Sequence, residues 1–292
     1  MNLHAPSNGM TGESDLSQAD FERIAQVAKS GWGLNLDKSK RPLIKSRLNK
    51  RLRALALPDF TTYCALIEAN DKHEIGHFIT ALTTNVTSFY REVHHFEYLE
   101  NAVIPDLMAR AKRGERVRLW SAGCSSGQEP YSLAGSLLNF DKEACSYDLK
   151  ILATDIDALV LDKAKRGVYG QDDCTFPSPS HESRVLKRPA GDSHRQVCEA
   201  LQSLISFRHL NLVDHWPISG KFDVIMCRNV AIYFDKPTQA RLWSRFSQCL
   251  QPDAYLFIGH SERIADPEEI GFCVAGTTTY RLRPMTKSSS GI

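Results

Sequence analysis

The segment VRLWSAGCSSGQEPYSLAGSLL, residues 117–138, predicts a strand, a tight loop and a helix in succession. An apolar run ends at Trp120, small residues with glycine at positions 123 and 127 follow, and apolar residues then recur at helical spacing. In an open α/β sheet a ligand binds at the carboxyl end of such a strand, where glycine lets backbone N–H groups approach it. The glycine spacing is neither that of a P-loop nor G-x-G-x-x-G, which argues against a phosphate ligand.

Two carboxylates stand where this ligand would lie. Glu129 occupies the first turn of the predicted helix, a place where a phosphate would favour positive charge, so it indicates a ligand with a cationic or hydroxyl-rich part. The alternative is an ordinary acid that stabilises the helix dipole. Asp155 ends a second buried strand, residues 149–154, where nucleoside-binding folds hold a ribose diol. Asp157 is better placed to cap the next helix, so Asp155 is the predicted sugar contact.

Composition excludes several protein classes. The chain has 292 residues, a length that holds one large or two ordinary domains. Its net charge is +2, and its eight cysteines are scattered singly. Without C-x-x-C or His/Cys ligand spacing, the cysteines indicate reduced thiols and neither a disulfide framework nor a zinc site. The chain lacks an apolar run of membrane-spanning length and a signal-peptide core, so we expect a cytoplasmic protein without membrane insertion.

The first part of the chain predicts only helices. Residues 1–13 are polar and are predicted to be a disordered lead, and four helices are expected within a helical domain at 14–84. The second helix begins near Asp37 and carries many basic residues opposite a single apolar stripe. The stripe is expected to contain Leu43, Ile44, Leu48, Leu52 and Leu55.

The basic helix allows three interpretations. The first is a solvated surface, which is the usual role of a charge run. The second is nucleic-acid binding, which the missing interleaved aromatic residues and the near-neutral net charge disfavour. The third is a docking surface for an acidic protein.

Residues 85–115 are interpreted as a linker followed by a helix. The stretch TTNVTS, residues 83–88, is a natural break because Thr, Asn and Ser compete with helix by bonding the local backbone. His94 and His95 are adjacent on the predicted helix and should face different directions, which makes a poor chelate, so no metal is expected there.

Residues 116–285 predict a doubly wound, mostly parallel α/β sheet. Later strands are expected at 204–210, 222–227 and 254–258, and a C-terminal hairpin would add one reversed strand. An inserted segment at about 168–206 should form one or two short hairpins around Pro189-Ala190-Gly191-Asp192, and 286–292 form a tail.

Five segments behind the small helical domain strongly resemble the CheR family of bacterial chemotaxis receptor methyltransferases. They are TTNVTSFYREVHHF, WSAGCSSGQEPYSLA, ATDID, FDVIMCRNVAIYFDKPTQ and FIGHSE, and the resemblance runs from about Phe21 to Arg283. It implies a helical N-terminal domain joined to an S-adenosylmethionine-dependent methyltransferase domain with an inserted small β-subdomain. It also implies methylation of glutamate side chains on the cytoplasmic helices of chemoreceptors, with S-adenosylhomocysteine as the other product and no metal.

The resemblance also implies roles for individual residues. Arg91 and Tyr233 are the implied catalytic residues near the transferred methyl group. The implied cofactor contacts are Asn85, Thr87, Arg91, Glu129, Asp155, Asn211, Leu212, Arg228 and Asn229. On the basic helix, the residues expected to dock acidic receptor helices are Arg47, Lys50, Arg51 and Arg53.

Several alternatives stay open at this point. The chain could be a methyltransferase acting on RNA or a small molecule, or a non-catalytic module that uses bound S-adenosylmethionine as a signal. Some family members tether to a receptor's C-terminal pentapeptide through the β-subdomain, but here the segment around Pro189-Ala190-Gly191-Asp192 has one glycine and does not clearly match a glycine-flanked tethering loop. We expect a monomer that does not bind nucleic acid.

Overall fold

The computed structural model describes residues 14–187 and 194–284. The predicted lead at 1–13, the turn at 189–192 and the tail at 286–292 lie outside these residues. Backbone contacts divide the chain into two compact units. The first contains the described residues up to Gly31 together with Asn35–Thr83, and the second contains Trp32–Leu34 together with the described residues from Thr84 onwards.

The first unit is helical, as predicted. Its helices are α1 (Gln18–Trp32), α2 (Arg41–Ala54), α3 (Phe60–Glu68) and α4 (Lys72–Leu82). Asp59 and Asp71 accept backbone N–H groups at the starts of α3 and α4, so each helix begins at a local cap. Asp37 caps a 3-10 turn, Lys38–Lys40, and α2 follows it, so α2 begins about one turn later than predicted.

The predicted single apolar stripe on α2 is wrong at two positions. Ile44, Leu48 and Leu52 are buried, whereas Leu43 is 48% exposed and Leu55 is 37% exposed. Leu43 is adjacent to Ile44 and therefore lies about 100° around the helix from it, away from the face that holds Ile44, Leu48 and Leu52. Leu55 lies beyond Ala54, the last residue of α2. Helical periodicity therefore located the buried face but assigned one leucine too many at each end.

The second unit alternates helices and strands. It begins with α5 (Val93–Tyr98), a π-helical turn (Leu99–Val103) and α6 (Ile104–Lys112). The elements that follow are β1 (Val117–Ala122), α7 (Gln128–Phe140), β2 (Leu149–Asp155), α8 (Ala158–Arg166), β3 (Val168–Tyr169), α9 (Pro179–Val185), β4 (Leu186–Lys187), β5 (Arg195–Val197), α10 (Glu199–Leu204), β6 (Ile205–His209), β7 (Phe222–Cys227), α11 (Lys236–Cys249), β8 (Leu250–Ile258), β9 (Phe272–Gly276) and β10 (Thr279–Leu282).

Among the described residues, the main sheet has seven strands in the order β6-β2-β1-β7-β8-β10-β9. The first five are parallel to one another, and β10 runs antiparallel to both β8 and β9, which confirms the predicted single reversed strand. The strand order reverses at β1, which lies between β2 and β7. The carboxyl ends of the five parallel strands meet at one edge, where ligands bind in open α/β sheets.

Large apolar side chains cover the central strands. Trp120 of β1 is fully buried, its ring packs near those of Trp216, Phe222 and Phe246, and its Nε1 donates to Thr154 Oγ1 at 2.9 Å. Every residue of β7 is buried. Continuous burial explains why these strands read as apolar runs and not as alternating patterns.

The inserted segment forms a small antiparallel sheet of order β3-β5-β4. Leu186 of β4 pairs with Val197 of β5, so two antiparallel strands flank the residues that the structure leaves undescribed. Two short helices, α9 and α10, also lie in this segment, and the sequence interpretation missed them. Each has fewer than eight residues, too short for a periodic signal.

Within the described residues, no helix combines the length and the apolar character needed to span a bilayer.

The loop after β1 depends on a glycine that approaches a neighbouring side chain. Gly123 has φ +85°, and a Cβ added there would lie 2.3 Å from Val230 Cγ2. Gly114 has a similar φ of +82°, but an added Cβ there meets nothing within 4 Å. The two glycines share the left-handed backbone and differ in the space around them.

This pair separates backbone strain from steric exclusion. We expect Gly114→Ala to lower the free energy of unfolding by about 1 kcal/mol, because alanine is strained at positive φ. Gly123→Ala should lower the free energy of unfolding by about 2 kcal/mol more than Gly114→Ala does, because Val230 must move to make room for the added methyl group. Chemical denaturation of both variants measures the difference, and equal losses would contradict the close approach at Gly123.

Candidate functional site

The loop between β1 and α7 is held against the end of β2. The N–H groups of Gly123 and Cys124 donate to the carbonyl of Thr154 at 2.8 and 2.9 Å. Ser125 follows with φ +49°, and Gly127 precedes α7 with φ +96°. The left-handed residues turn the chain sharply, so the loop stays close to the sheet edge.

Asp155 lies at the carboxyl end of β2 and is only 8% exposed. Its Oδ2 accepts the Ser125 N–H at 2.7 Å and its Oδ1 accepts the Asp157 N–H at 2.9 Å. Burial raises the pKa of Asp155 to about 6, although these two N–H groups act in the opposite direction. Asp157 accepts the Leu159 N–H and caps α8, which confirms the capping role predicted for it.

The segment before α5 runs along the same edge. Asn85 Nδ2 donates to Asp157 Oδ2 at 2.8 Å, and the half-buried Thr87 follows two residues later. The Tyr233 hydroxyl donates to the carbonyl of Thr84 at 3.3 Å. The structure therefore brings the linker residues to the loops that follow β2 and β7.

Arg228, directly after β7, is the central cation of the site, and its side chain is 3% exposed. Its Nε donates to Glu129 Oε2 at 2.9 Å, and both Nη atoms donate to the carbonyl of Arg91 at 2.6 Å. Glu129 Oε1 accepts the Ser121 hydroxyl at 2.6 Å. The sequence interpretation treated Glu129 as free for a cationic ligand, but the chain itself supplies one cation partner.

The guanidinium of Arg91 turns back on its own segment. Its Nη1 donates to the carbonyl of Val86 at 2.7 Å. Because the Arg91 carbonyl is held by Arg228, both ends of this residue are engaged in fixing the linker.

Asn211 and Leu212 follow β6 and form a compact turn. Asn211 Nδ2 donates to Asp214 Oδ2 at 2.8 Å, and its Oδ1 accepts the Val213 N–H at 3.2 Å. Leu212 is buried, and its carbonyl accepts Arg245 Nη1 at 2.8 Å. The turn thus fixes Asn211 and Leu212 at the carboxyl edge of the sheet.

Two further carboxylates, which the sequence interpretation did not assign, hold the loops after β7 and β8. Glu262 is 7% exposed and accepts backbone N–H groups from both loops. Glu92 Oε1 accepts the His260 N–H at 3.3 Å and Asn229 Nδ2 at 3.4 Å, and it lies 2.7 Å from His260 Nδ1. The motif GHSE was the available sequence signal for Glu262, and Glu92 had none besides its place beside Arg91.

Glu92, His94 and His95 each offer a metal-ligating atom, and these atoms lie within 4.8 Å of one another. The expectation that the two histidines face different directions is wrong, since their ring centroids are 4.2 Å apart. However, Arg228 Nη1 lies 3.2 Å from His95 Nδ1, so a positive charge already stands beside this cluster. Burial, helped by Arg228, lowers the pKa of His95 to about 4. The absence of a metal stays a prediction.

The four basic residues predicted to dock a substrate differ in their surroundings. Arg51 forms two hydrogen bonds to the buried Glu74, at 3.0 and 2.7 Å. Arg47 donates to two carbonyls at the end of α4. Lys50 and Arg53 are exposed. Arg47 and Arg51 therefore stabilise the helical unit, and Lys50 and Arg53 present the accessible charge.

Comparison with known proteins covers both units. The S-adenosylmethionine-binding domain of CheR methyltransferase matches residues 85–280, and the all-alpha domain of CheR methyltransferase matches residues 19–83. A probable chemotaxis protein methyltransferase of Rhizobium etli is 44% identical over 86% of this chain and 95% of that protein. Chemotaxis protein methyltransferases of Escherichia coli and Borreliella burgdorferi are 40% and 35% identical. These two alignments cover 94% and 90% of this chain, and 94% of each relative.

The two family models follow one another along the chain as the helical and α/β units do, and the relatives align over nearly their whole length. The residues that the resemblance assigns to the cofactor come from the linker before α5, the first turn of α7 and the segments that end or follow β2, β6 and β7. The chain belongs to the CheR methyltransferase family, and it is an S-adenosylmethionine-dependent methyltransferase.

Proposed function

We propose that this protein methylates glutamate side chains on the cytoplasmic helices of bacterial chemoreceptors, forming methyl esters in chemotactic adaptation. The supporting comparison is with chemotaxis protein methyltransferases that align over both units. The observation that carries the proposal is the gathering of Asp155, Glu129 and Arg228 at the switch point of the sheet. A chemoreceptor substrate would place the protein in the cytoplasm.

The hydrogen-bonding capacity of the site fits S-adenosylmethionine. Each oxygen of Asp155 accepts one backbone N–H, so each retains a lone pair for one hydroxyl of a ribose diol. Each oxygen of Glu129 likewise accepts one hydrogen bond and retains a lone pair for an ammonium group. Asn211 and Leu212 would bind the adenine end. Asn85, Thr87 and Asn229 complete the proposed cofactor contacts.

The proposed reaction demands little of the protein's acid–base chemistry. The bound cofactor would supply a methyl group activated by a sulfonium. A glutamate side chain is already ionised at neutral pH, so no general base is needed to generate the nucleophile. The chain's task is to align the carboxylate with the methyl group and to exclude water from both. A metal would have no step to perform.

Arg91 and Tyr233 are the residues proposed to act at the reacting centre. The Arg91 guanidinium would hold the cofactor and orient the incoming carboxylate, because its backbone is fixed by Arg228. The Tyr233 side chain is half-buried at the sheet edge, and its hydroxyl would make a hydrogen bond near the reacting atoms. The alternative role of Tyr233 is core packing beside Phe234.

The basic helix α2 is proposed to bind the acidic methylation helices of the receptor. Lys50 and Arg53 provide the exposed charge for steering this encounter. Arg47 and Arg51 would add to the positive field although their donors already bond within the helical unit. Monomeric state and tethering to a receptor pentapeptide through the β3-β5-β4 sheet stay predictions.

The reaction class can be tested by transfer of tritiated methyl from S-adenosylmethionine to membranes that contain candidate chemoreceptors. We expect the label to leave as volatile methanol after mild alkali, because carboxyl methyl esters hydrolyse there. A receptor with its methylation glutamates changed to alanine is the matched control and should take up no label. Alkali-stable label would indicate N-methylation, and label in RNA would indicate a nucleic-acid methyltransferase. Cofactor binding without transfer to any receptor would favour a sensor function.

The pKa of Asp155 predicts how cofactor affinity depends on pH. Because the pKa of this carboxyl is raised to about 6, it becomes neutral as the pH falls through 6 and then accepts hydroxyl hydrogens poorly. We expect the Kd of S-adenosylhomocysteine, measured by calorimetry, to rise about tenfold between pH 7 and pH 5. Asp155→Asn should bind weakly at both pH values. A wild-type Kd that does not change would contradict the role of Asp155.

The exposed charges on α2 predict a salt effect on substrate binding. We expect the apparent KM for receptor to rise with salt concentration, because screening weakens electrostatic steering. Lys50→Ala combined with Arg53→Ala should raise KM at low salt, leave kcat near the wild-type value and reduce the salt dependence. Lys72→Ala, which removes an exposed charge from α4, is the control. If both sets of changes had equal effects on KM, the basic face of α2 would be only a solvated surface and not a docking surface.

A further inference from the structure

The carboxylate of Glu262 lies in a cluster of backbone N–H groups. Its Oε2 accepts the N–H of Gly259 at 2.6 Å and that of Asn229 at 3.1 Å. Its Oε1 accepts the N–H of Val230 at 2.9 Å and that of Ile232 at 3.3 Å. One buried side chain therefore bonds to the loops that follow two neighbouring strands, β7 and β8.

These bonds fix a short segment whose backbone has an unusual conformation. Asn229 is left-handed, with φ +58°, and a 3-10 turn, Ala231–Tyr233, follows it. The N–H groups of Val230 and Ile232 lie at the start of that turn, where a carboxylate takes the place of a helix cap. Glu262 thus bonds to the backbone at the point where the turn leaves the sheet.

The two loops touch closely enough to require glycine. A Cβ added at Gly259 would lie 2.6 Å from both the backbone nitrogen and Nδ2 of Asn229. Because the backbone of Asn229 is in contact with this glycine and bonded to Glu262, it has little freedom to change its orientation. Its side-chain amide is limited further by the hydrogen bond to Glu92.

We propose that Glu262 is a positioning residue that aims the Asn229 amide at the cofactor and the Tyr233 hydroxyl at the methyl-transfer centre. The proposal rests on the proposed function, which assigns Asn229 to cofactor binding and Tyr233 to catalysis. Glu262 itself acts through the backbone of residues 229–232. Its removal should reduce what Asn229 and Tyr233 contribute, and should add little when those contributions are already gone.

Double-mutant cycles test this coupling. We expect Glu262→Gln to raise the Kd of S-adenosylhomocysteine about tenfold. The NH2 group of glutamine is a donor and cannot accept the backbone N–H groups that one carboxylate oxygen of Glu262 accepts. In the Asn229→Ala background the same change should raise Kd less than threefold. In methyl transfer, Glu262→Gln should lower kcat about tenfold in the wild type and less than threefold in Tyr233→Phe.

Asp223→Asn is the matched control for general destabilisation. Like Glu262, Asp223 is a buried carboxylate, since it is 4% exposed and accepts the Arg118 N–H at 2.8 Å. It belongs to β7 and lies at the end of that strand opposite the site. This variant should lower the melting temperature and change the Kd of S-adenosylhomocysteine less than twofold. Full effects of Glu262→Gln in the Asn229→Ala and Tyr233→Phe backgrounds, or an equal loss of binding in Asp223→Asn, would overturn the proposal.

If Glu262→Gln does not fold, Glu262→Asp replaces it in both cycles, since aspartate keeps the charge but is one methylene shorter. The binding cycle needs no receptor. A wild type that binds S-adenosylhomocysteine but methylates no receptor glutamate would contradict the proposed function, while the coupling of Glu262 to Asn229 would still be measured.

Discussion

The α/β unit depends on one buried guanidinium, that of Arg228. A charge taken out of water is costly unless it is paired and hydrogen-bonded, so the side chain is stable only where Glu129, the Arg91 carbonyl and His95 meet it. These partners come from α7, the linker and α5, and they must all be in place together. Arg228 therefore makes the positions of the linker and of the loop after β1 depend on each other.

The short loops at the carboxyl edge of the sheet explain why carboxylates are concentrated there. Parallel strands bring their carboxyl ends together, and the loops that follow must reverse direction with few residues. Asp155, Glu92 and Glu262 each accept hydrogen bonds from loops that have left-handed residues, so the acids satisfy N–H groups that strand and helix leave unpaired. The site is thus built by meeting the backbone's hydrogen-bonding needs, and the remaining lone pairs are available to a ligand.

The sequence predicted the parts of the fold that are encoded locally. β7 spans Phe222–Cys227, the bounds predicted from its largely apolar sequence, and α8 lies between the cap Asp157 and the left-handed Gly167, because the strand pattern and both caps are short-range signals. The pairing of Glu129 with Arg228 joins residues 99 positions apart and has no local signature. For that reason the local sequence indicates the acid and its place in the fold but not its partner.

The same distinction applies to the remaining site residues. Asp155 could be located because a strand end defines its position, whereas the roles of Asn85, Asn229 and Tyr233 came only from the resemblance of whole motifs. Their side chains reach the sheet edge through contacts with Asp157, Glu92 and Thr84, which depend on how three loops pack. A family motif summarises such packing, since it preserves residues that meet only after folding. Periodicity and spacing describe one element at a time, so they cannot predict a site that is made from several loops.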